Sequence, residues 1–272
     1  MKRKTIYYSD PLNDDFAGNS IATKNLPKDF KYIHRNPLWV FFEFIIYNLI
    51  VRPLVSLWIK LKYHQHFVGR KKLRQFRKTG YFVYANHTGT DIDAFTPTML
   101  TFPKKDFLIC NPDATSIPGI RNLVQMLGAI PTFTDISHAR DFRKAIETRI
   151  RQKKAIIIYP EAHIWPYYTD IRPFRDISMA YPYDLNVPCF TMTNVYKKRL
   201  FPFVKRPRVV SYVGGPFYAD RSLPKQEAKK KLRDELYHEM KRTVDRFPKY
   251  EYIRYVYKDP QTDAIKDEKA QS

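Results

Sequence analysis

The sequence predicts an α/β fold with a mostly parallel central sheet flanked by helices, preceded by an N-terminal membrane-associated helical segment. Short apolar runs with the length of buried strands, such as residues 81–85 and 155–159, alternate with stretches whose apolar residues recur at helical spacing. Such alternation is typical of a sheet covered on both faces. The most apolar stretch, residues 38–59, precedes the whole pattern. A chain of 272 residues is long enough for one main core with an appendage.

The composition along the chain predicts three regions. Residues 1–64 would contain a loose arm and membrane-associating helices, because the first 35 residues are polar with scattered aromatics and lack periodicity. Residues 65–258 would form the α/β domain, and residues 259–272 a flexible tail. We expect no secretory signal peptide, since the apolar run begins too late in the chain.

Residues 38–59 are long enough to cross a bilayer of about 30 Å. However, an interior charge such as Glu43 or Arg52 costs about 2.5–3.5 kcal/mol on insertion. Pro53 would also kink or split a helix. We therefore predict two short helices, with a break near Arg52 and Pro53, that lie in or dip into one leaflet. The alternative is a buried helical pair packed on the domain.

The charge balance calls for an anionic partner. Lys and Arg number 48 against 27 Asp and Glu, a formal net charge of +21. Nucleic acid or lipid headgroups could supply the partner. Eight Lys and Arg residues without an acid occupy residues 60–80, directly after the apolar stretch, which favours an anionic membrane surface on the cytoplasmic side of the cell membrane. With no nucleic-acid-binding signature present, we expect no nucleic-acid partner.

The two cysteines and the remaining strands complete the expected core. Cys110 and Cys189 form no C-x-x-C pair, so we expect reduced, buried thiols rather than a disulfide framework. Further strands are expected at residues 66–69, 107–110, 129–133, 187–193 and 209–213.

Three further helices follow from apolar spacing and end signals. One would begin near Ile117 and Pro118 and end at Gly128. Ser137 could cap the second. The third follows Pro224. Their inward-facing residues are expected to be Ala139, Phe142, Ile146 and Ile150 in the second, and Ala228, Leu232, Leu236, Met240 and Val244 in the third.

The stretch Asn86–Asp93 places one histidine and two carboxylates between strand 81–85 and a helical pattern that begins at Ile92. Open α/β sheets place their chemistry at such junctions. A neutral imidazole can take a proton from a hydroxyl near pH 7, and a carboxylate orients it and stabilises the imidazolium. The two Thr-x-x-Asp spacings in this stretch also fit helix capping boxes, which is the structural alternative.

A second informative stretch follows strand 155–159. The chain runs directly into Pro160–Pro166, a segment of prolines and aromatics with Glu161 at its start. A carboxylate at the end of a core strand, in a segment this rich in proline, indicates a rigid site loop.

Four ordered blocks lie between residues 80 and 193, namely Asn86-His87 with Asp93, Leu127–Phe133, Tyr159–Ala162 and Val187–Phe190. Together they resemble the glycerolipid acyltransferase superfamily, whose best-known members are the 1-acylglycerol-3-phosphate acyltransferases. The family's aspartate falls between Asp91, one residue too near His87, and Asp93, one too far; we prefer Asp93 because Asp-Ala-Phe continues into the helix as in the family. Ala162 and Ile164 replace the family's Gly and Arg.

This resemblance implies a membrane-associated O-acyltransferase that acts in phospholipid synthesis or remodelling. It would move a fatty acyl group from acyl-CoA or acyl-carrier protein to the hydroxyl of a lysophospholipid or 1-acylglycerol-3-phosphate, without a cofactor. His87 would be the general base and Asp93 its orienting partner, and backbone N–H groups of residues 88–90 at a helix N-terminus would bind the oxyanion. The residues expected to bind substrate are Asn86, Glu161, Arg140, Arg143, Arg172 and Arg175.

Three alternatives remain open from the residues themselves. Glu161 could instead be a strand-end carboxylate paired with a nearby arginine. A metal-dependent hydrolase could use His87, Asp91 and Asp93, although no further histidines stand at ligand spacing and we expect no metal. The chain could also be a non-enzymatic basic domain that binds lipid or nucleic acid.

Overall fold

A computed structural model describes residues 3–18, 25–116, 119–199 and 204–259. These ranges contain two sheets. The strands are β1 (Lys4–Tyr8), β2 (His66–Val68), β3 (Tyr81–Ala85), β4 (Asp106–Cys110), β5 (Ala129–Pro131), β6 (Ala155–Ile158), β7 (Cys189–Lys197), β8 (Arg208–Phe217) and β9 (Ile253–Tyr257). The helices are α1 (Pro37–Phe44), α2 (Arg52–Tyr63), α3 (Lys71–Arg74), α4 (Thr96–Thr101), α5 (Asp113–Ser116), α6 (Arg121–Met126), α7 (Ala139–Arg151), α8 (Ala180–Leu185) and α9 (Lys225–Asp245).

The main sheet has the order β2-β8-β7-β3-β6-β4-β5, and each neighbouring pair is parallel except β7 with β8. The predicted fold class, a mostly parallel sheet flanked by helices, is therefore confirmed. Strand β3 lies in the middle of the sheet, and all five of its residues are buried. Because β3, β6, β4 and β5 run in the same direction, the segments that follow them meet at one edge of the sheet.

Helices α7 and α9 cover the sheet through the faces that their spacing predicts. Phe142, Ile146 and Ile150 of α7 are buried in the same core cluster as Leu232 and Leu236 of α9. The predicted cap of α7 is wrong. A 3₁₀ turn, Ile136–His138, precedes this helix, and the side chain of Asp135 accepts a hydrogen bond from the N–H of Ser137. Ser137 is thus the donor and not the cap.

The N-terminal apolar stretch forms one continuous helix from Pro37 to Tyr63. The predicted break near Arg52 and Pro53 is wrong, because a π-helical segment, Ile45–Val51, joins α1 to α2. In its last turn the N–H of Arg52 bonds the carbonyl of Tyr47, five residues back. Pro53, which lacks an N–H, follows in the first turn of α2, where a proline is tolerated.

This helix turns Glu43 and Arg52 toward the domain and most of its apolar side chains outward. Glu43 forms an ion pair with Lys105 at 2.5 Å, and buried Arg52 donates to the carbonyl of Lys104 at 2.9 Å. By length and composition, it is the one helix in the described ranges that could cross a membrane, with a mean hydropathy of 1.7. Its large exposed apolar residues are Leu38, Val40, Phe41, Phe42, Phe44, Leu49, Ile50, Leu54, Leu57, Trp58 and Leu61.

The first residues do not form the predicted loose arm. Over the described residues 3–18, strand β1 pairs in parallel with β9, so the two ends of the described chain form a small sheet of their own. This pairing joins residues some 250 positions apart in the sequence, which no local pattern could indicate. The predicted start of the helix at residues 117 and 118, and residues 260–272 of the predicted tail, lie outside the described residues.

Candidate active site

His87 and Asp93 form a hydrogen-bonded pair at the carboxyl edge of the sheet. The Nδ1 atom of His87 lies 2.8 Å from Oδ2 of Asp93, which is itself 2% exposed. The imidazole stacks on the ring of Tyr159 with centroids 4.3 Å apart. Since Nδ1 is engaged and the His87 side chain is 17% exposed, Nε2 is the nitrogen available to a substrate.

Asp91 points elsewhere. Its carboxylate accepts hydrogen bonds from Lys62, at 2.6 Å, and from the Tyr63 hydroxyl, both at the end of α2. Burial raises the pKa of Asp91, but these two hydrogen bonds outweigh burial and hold the pKa below its usual 3.8. The structure therefore pairs Asp93 with His87. Asp91 instead connects the N-terminal helix to the loop between His87 and α4.

The loop between His87 and α4 differs from the predicted helix start. Helix α4 begins only at Thr96, so residues 88–90 do not form a helix N-terminus as expected. The N–H of Gly89 donates instead to Oδ2 of Asp93 at 2.9 Å. A Cβ at this glycine would lie 2.7 Å from Oδ1 of Asp93, so the close approach requires glycine. The hydroxyl of Thr88 lies 2.8 Å from that of Tyr196. Neither capping box forms, because Asp93 accepts from the N–H of Gly89 and Asp91 accepts from Lys62 and Tyr63.

Glu161 is a buried structural carboxylate. Its two oxygens accept from the backbone N–H groups of His87 and Arg172, each at 3.1 Å, and it forms an ion pair with the Arg172 guanidinium at 3.2 Å. Glu161 is 3% exposed and Arg172 is 2% exposed. Burial raises the pKa of Glu161, against the opposing charge of Arg172. The alternative of a carboxylate paired with an arginine fits this arrangement, in which Glu161 holds the backbone of His87 in place.

Asn86, another expected substrate-binding residue, is also buried. Its amide donates to the carbonyl of Asn194 at 3.1 Å and accepts from the N–H of Asn194 at 2.8 Å. The side chain thus extends the pairing of β3 with β7 by one step beyond the end of β3. This bond positions the following residue, His87, at the rim of the sheet.

The N-terminal residues 3–18 pack on the loop of residues 160–166, a contact that the sequence did not predict. Trp165 is fully buried; its indole N–H donates to the carbonyl of Asp14 at 2.7 Å, and its ring stacks on Tyr255 at 5.1 Å. The backbone N–H of Trp165 donates to the carbonyl of His87 at 3.1 Å. Trp165 thus packs against both ends of the described chain. His163 lies 3.4 Å from Asp15 in the same contact.

A cavity of about 450 Å³ opens at the same edge of the sheet, and Tyr159 and Glu161 line it. Of the four expected arginines, Arg175 lines this cavity. Exposed Arg143 forms an ion pair with Asp184 at 2.5 Å. Arg140 is exposed on α7 and does not line the cavity. The cavity's apolar lining consists of Leu12, Ile109, Phe142, Ile158, Phe174, Ile177 and Tyr181.

Two tyrosines support the site and were missed as site residues by the sequence reasoning. The hydroxyl of Tyr159 donates to the carbonyl of Asp93 at 2.6 Å, and that of Tyr196 donates to the carbonyl of Thr88 at 3.0 Å. Burial raises the pKa of both tyrosines well above 10, so both stay protonated donors. The only available signal was a polar hydroxyl at the end of an apolar strand, which is too common to single them out.

These features define a class of protein. An α/β sheet carries at its carboxyl edge a histidine–aspartate pair that can deprotonate a hydroxyl. Residues 64–195 match the family model described as Acyltransferase. A search of curated proteins found no match.

Among solved structures, the chain is similar to the 1-acyl-sn-glycerophosphate (LPA) acyltransferase PlsC from Thermotoga maritima. The TM-score is 0.53 and the sequence identity 14%, with 80% of this chain and 92% of that chain covered, so this match speaks for the fold. The residues that match the Acyltransferase model include all four ordered motifs, Asn86-His87 with Asp93, Leu127–Phe133, Tyr159–Ala162 and Val187–Phe190.

Proposed function

We propose that this protein is an acyltransferase that moves a fatty acyl group from an acyl thioester to the hydroxyl of a lysophospholipid or 1-acylglycerol-3-phosphate at a membrane surface. The observation that carries the proposal is the pair of His87 and Asp93, whose Nδ1 and Oδ2 atoms lie 2.8 Å apart at the carboxyl edge of the sheet. Acyl-CoA or acyl-carrier protein would be the donor. The reaction would serve phospholipid synthesis or remodelling.

In the first step, Nε2 of His87 takes the proton of the acceptor hydroxyl as its oxygen attacks the thioester carbonyl. The buried carboxylate of Asp93 faces Nδ1, so it fixes the tautomer and stabilises the imidazolium. The tetrahedral intermediate then expels the thiolate, which takes the proton back from the imidazolium. The ester forms and the thioester bond breaks, with no covalent enzyme intermediate.

The 450 Å³ cavity supports a lipid substrate. Tyr159, whose ring stacks on His87, is one of its lining residues, and the Glu161 carboxylate that bonds the His87 backbone N–H is another. Much of its remaining lining is apolar, as an acyl chain requires. Arg175 is our candidate for binding a substrate phosphate, because it lines the cavity and is exposed, whereas Arg172 is committed to Glu161.

The apolar helix from Pro37 to Tyr63 supports membrane association. Its charged Glu43 and Arg52 are engaged with the domain, which leaves the outward face apolar. Such a face is suited to lie in a leaflet, and the net charge of +21 favours anionic headgroups. We propose a location on the cytoplasmic face of the cell membrane.

The metal-dependent hydrolase is the less favoured alternative. Asp91, one of its three expected ligands, bonds Lys62 and Tyr63 and not the site of His87. Within the described ranges, no three His, Cys, Asp or Glu side chains are grouped so that they could hold a metal ion.

Incubation of purified protein with labelled acyl-CoA or acyl-carrier protein donors and a panel of lysolipids tests the proposal. We expect labelled product from wild type, and a His87→Ala variant slower by about 10²–10⁴-fold, the usual contribution of a positioned base. His66→Ala, at an exposed histidine of β2, is the matched control and should keep full activity. Both variants should still bind vesicles. Full acyl transfer by His87→Ala would refute the assignment.

A further inference from the structure

A strongly basic cavity lies at the opposite edge of the main sheet from His87. Its volume is about 280 Å³, and it is formed where β3 begins at Tyr81 and where the chain enters β4 and β6. It is therefore separate from the proposed acyl-transfer site. Its basic lining residues are Arg70, Arg74, Arg77, Lys104, Lys153 and Lys154.

These cations have no carboxylate counterpart. No Asp or Glu lines the cavity, and none of its six cations forms an ion pair in the described part of the chain. By contrast, the neighbouring Lys105 is paired with Glu43 at 2.5 Å. Like charges crowded in this way repel one another, so an anion that binds among them relieves the repulsion.

The cavity holds some of its cations in place by backbone contacts. Arg70 donates to the carbonyls of Leu100 and Phe102, each at 3.0 Å. Lys104 donates to the carbonyl of Thr79 at 2.5 Å, and burial, with the nearby lysine charges, lowers the pKa of Lys104 to about 8. Lys153 has a φ of 59°, a left-handed conformation that favours glycine or asparagine at a helix end. A cation occupies that position here.

The surroundings of the cavity point to a lipid as the source of the anion. Arg70 and Phe102 also line a second cavity, of about 380 Å³, whose other wall includes Arg52 and Pro53 of the N-terminal helix. Phe102 is 57% exposed. The basic cavity thus lies next to the apolar helix that the proposed function places in the leaflet, as a headgroup site must.

We propose that the basic cavity binds the phosphate headgroup of an anionic phospholipid and thereby docks the protein on the membrane. The proposal rests on the membrane association in the proposed function, and it is independent of catalysis by His87. The phosphate would lie among the exposed Arg74, Arg77 and Lys153, with Lys104 behind them, and the acyl chains would run past Phe102 toward the helix.

Vesicle sedimentation with a matched pair of variants tests the proposal. The cavity variant is Arg74→Gln with Arg77→Gln, and the control is Lys71→Gln with Lys72→Gln. All four side chains are exposed and lie within one seven-residue stretch, both variants lose two charges, and the control residues do not line the cavity. The vesicles contain phosphatidylcholine alone or phosphatidylcholine with phosphatidylglycerol, at physiological ionic strength.

We expect the cavity variant to bind the anionic vesicles about tenfold more weakly than wild type, and the control to lose less than about threefold. An Arg74→Lys, Arg77→Lys variant should recover most of the binding. Equal losses in cavity variant and control would overturn the proposal, because the charge would then act diffusely. Absence of wild-type binding to either vesicle would overturn both the cavity site and the proposed membrane association.

Two further probes separate the lipid from other anions. We expect soluble sn-glycerol 3-phosphate to displace the protein from anionic vesicles only at concentrations far above those of the lipid. Tight, cavity-dependent binding of that soluble phosphate would overturn the lipid proposal. So would binding of duplex DNA that the cavity variant loses while its vesicle binding persists. Acyl transfer measured in detergent should be unchanged in the cavity variant, which keeps this test distinct from that of His87.

Discussion

Asp93→Asn is the most informative single change in the site. Oδ2 of Asp93 accepts from both Nδ1 of His87, at 2.8 Å, and the N–H of Gly89, at 2.9 Å, while buried Oδ1 has no hydrogen-bond partner in the described structure. An asparagine oxygen could replace Oδ2 and keep both donors satisfied. Its NH₂ would then occupy the position of Oδ1 without an acceptor, at a cost of about 1–3 kcal/mol.

The catalytic loss should exceed this structural loss. Without the carboxylate charge, nothing in contact with Nδ1 stabilises the imidazolium that forms as His87 takes the proton. We expect kcat to fall by about 10²–10⁴-fold with KM for the acceptor nearly unchanged, because the effect is confined to the transition state. Initial rates at several acceptor concentrations measure this, and urea denaturation measures the stability.

Asp91→Asn is the matched control, since it makes the same chemical change two residues away. Asp91 bonds Lys62 and Tyr63 and not His87, so this variant should keep kcat within about threefold. If Asp91→Asn lost as much activity as Asp93→Asn, or if Asp93→Asn were fully active, the assignment of Asp93 as the partner of His87 would be wrong.

Three further predictions concern the apolar helix from Pro37 to Tyr63, the loop of residues 160–166 and stability in acid. Leu54 and Leu57 are 62% and 57% exposed, and replacing both with Glu should lower vesicle affinity more than tenfold without lowering the thermal midpoint of unfolding. Unchanged vesicle sedimentation would show that this face does not lie in the leaflet. Ala162→Gly should stabilise the fold by about 0.5–1 kcal/mol, measured by urea denaturation. Ala162 has a φ of 63°, and glycine removes the strain of this left-handed conformation, which costs more than the conformational entropy that glycine adds to the unfolded chain. A loss of stability would contradict this. The pKa of Asp91 is lowered in the folded state, so its contribution to stability is present above 3.8 and is lost as the pH falls further; Asp91→Asn should flatten that decline, and parallel pH curves would contradict it.

Local patterns in the sequence predicted the sheet, the helices that cover it and the position of the site. Strands β3 and β6 are short apolar runs in the middle of the sheet, and their type follows from length and composition alone. The inward face of α9 repeats every four residues, so its burial could be predicted. The stretch 86–93 follows β3 directly, which fixed its place at the carboxyl edge.

What each site residue touches depended on contacts between distant segments. The family's spacing falls midway between Asp91 and Asp93, so spacing alone does not distinguish them. In the folded protein Asp91 bonds Lys62 and Tyr63 of α2, which leaves Asp93 as the partner of His87. Glu161 pairs with Arg172 because the loop turns back on itself, and β1 reaches β9 across almost the whole chain. Sequence periodicity reports which face of an element is buried, whereas the partner on that face is set by how the elements pack, and only the tertiary structure contains that information.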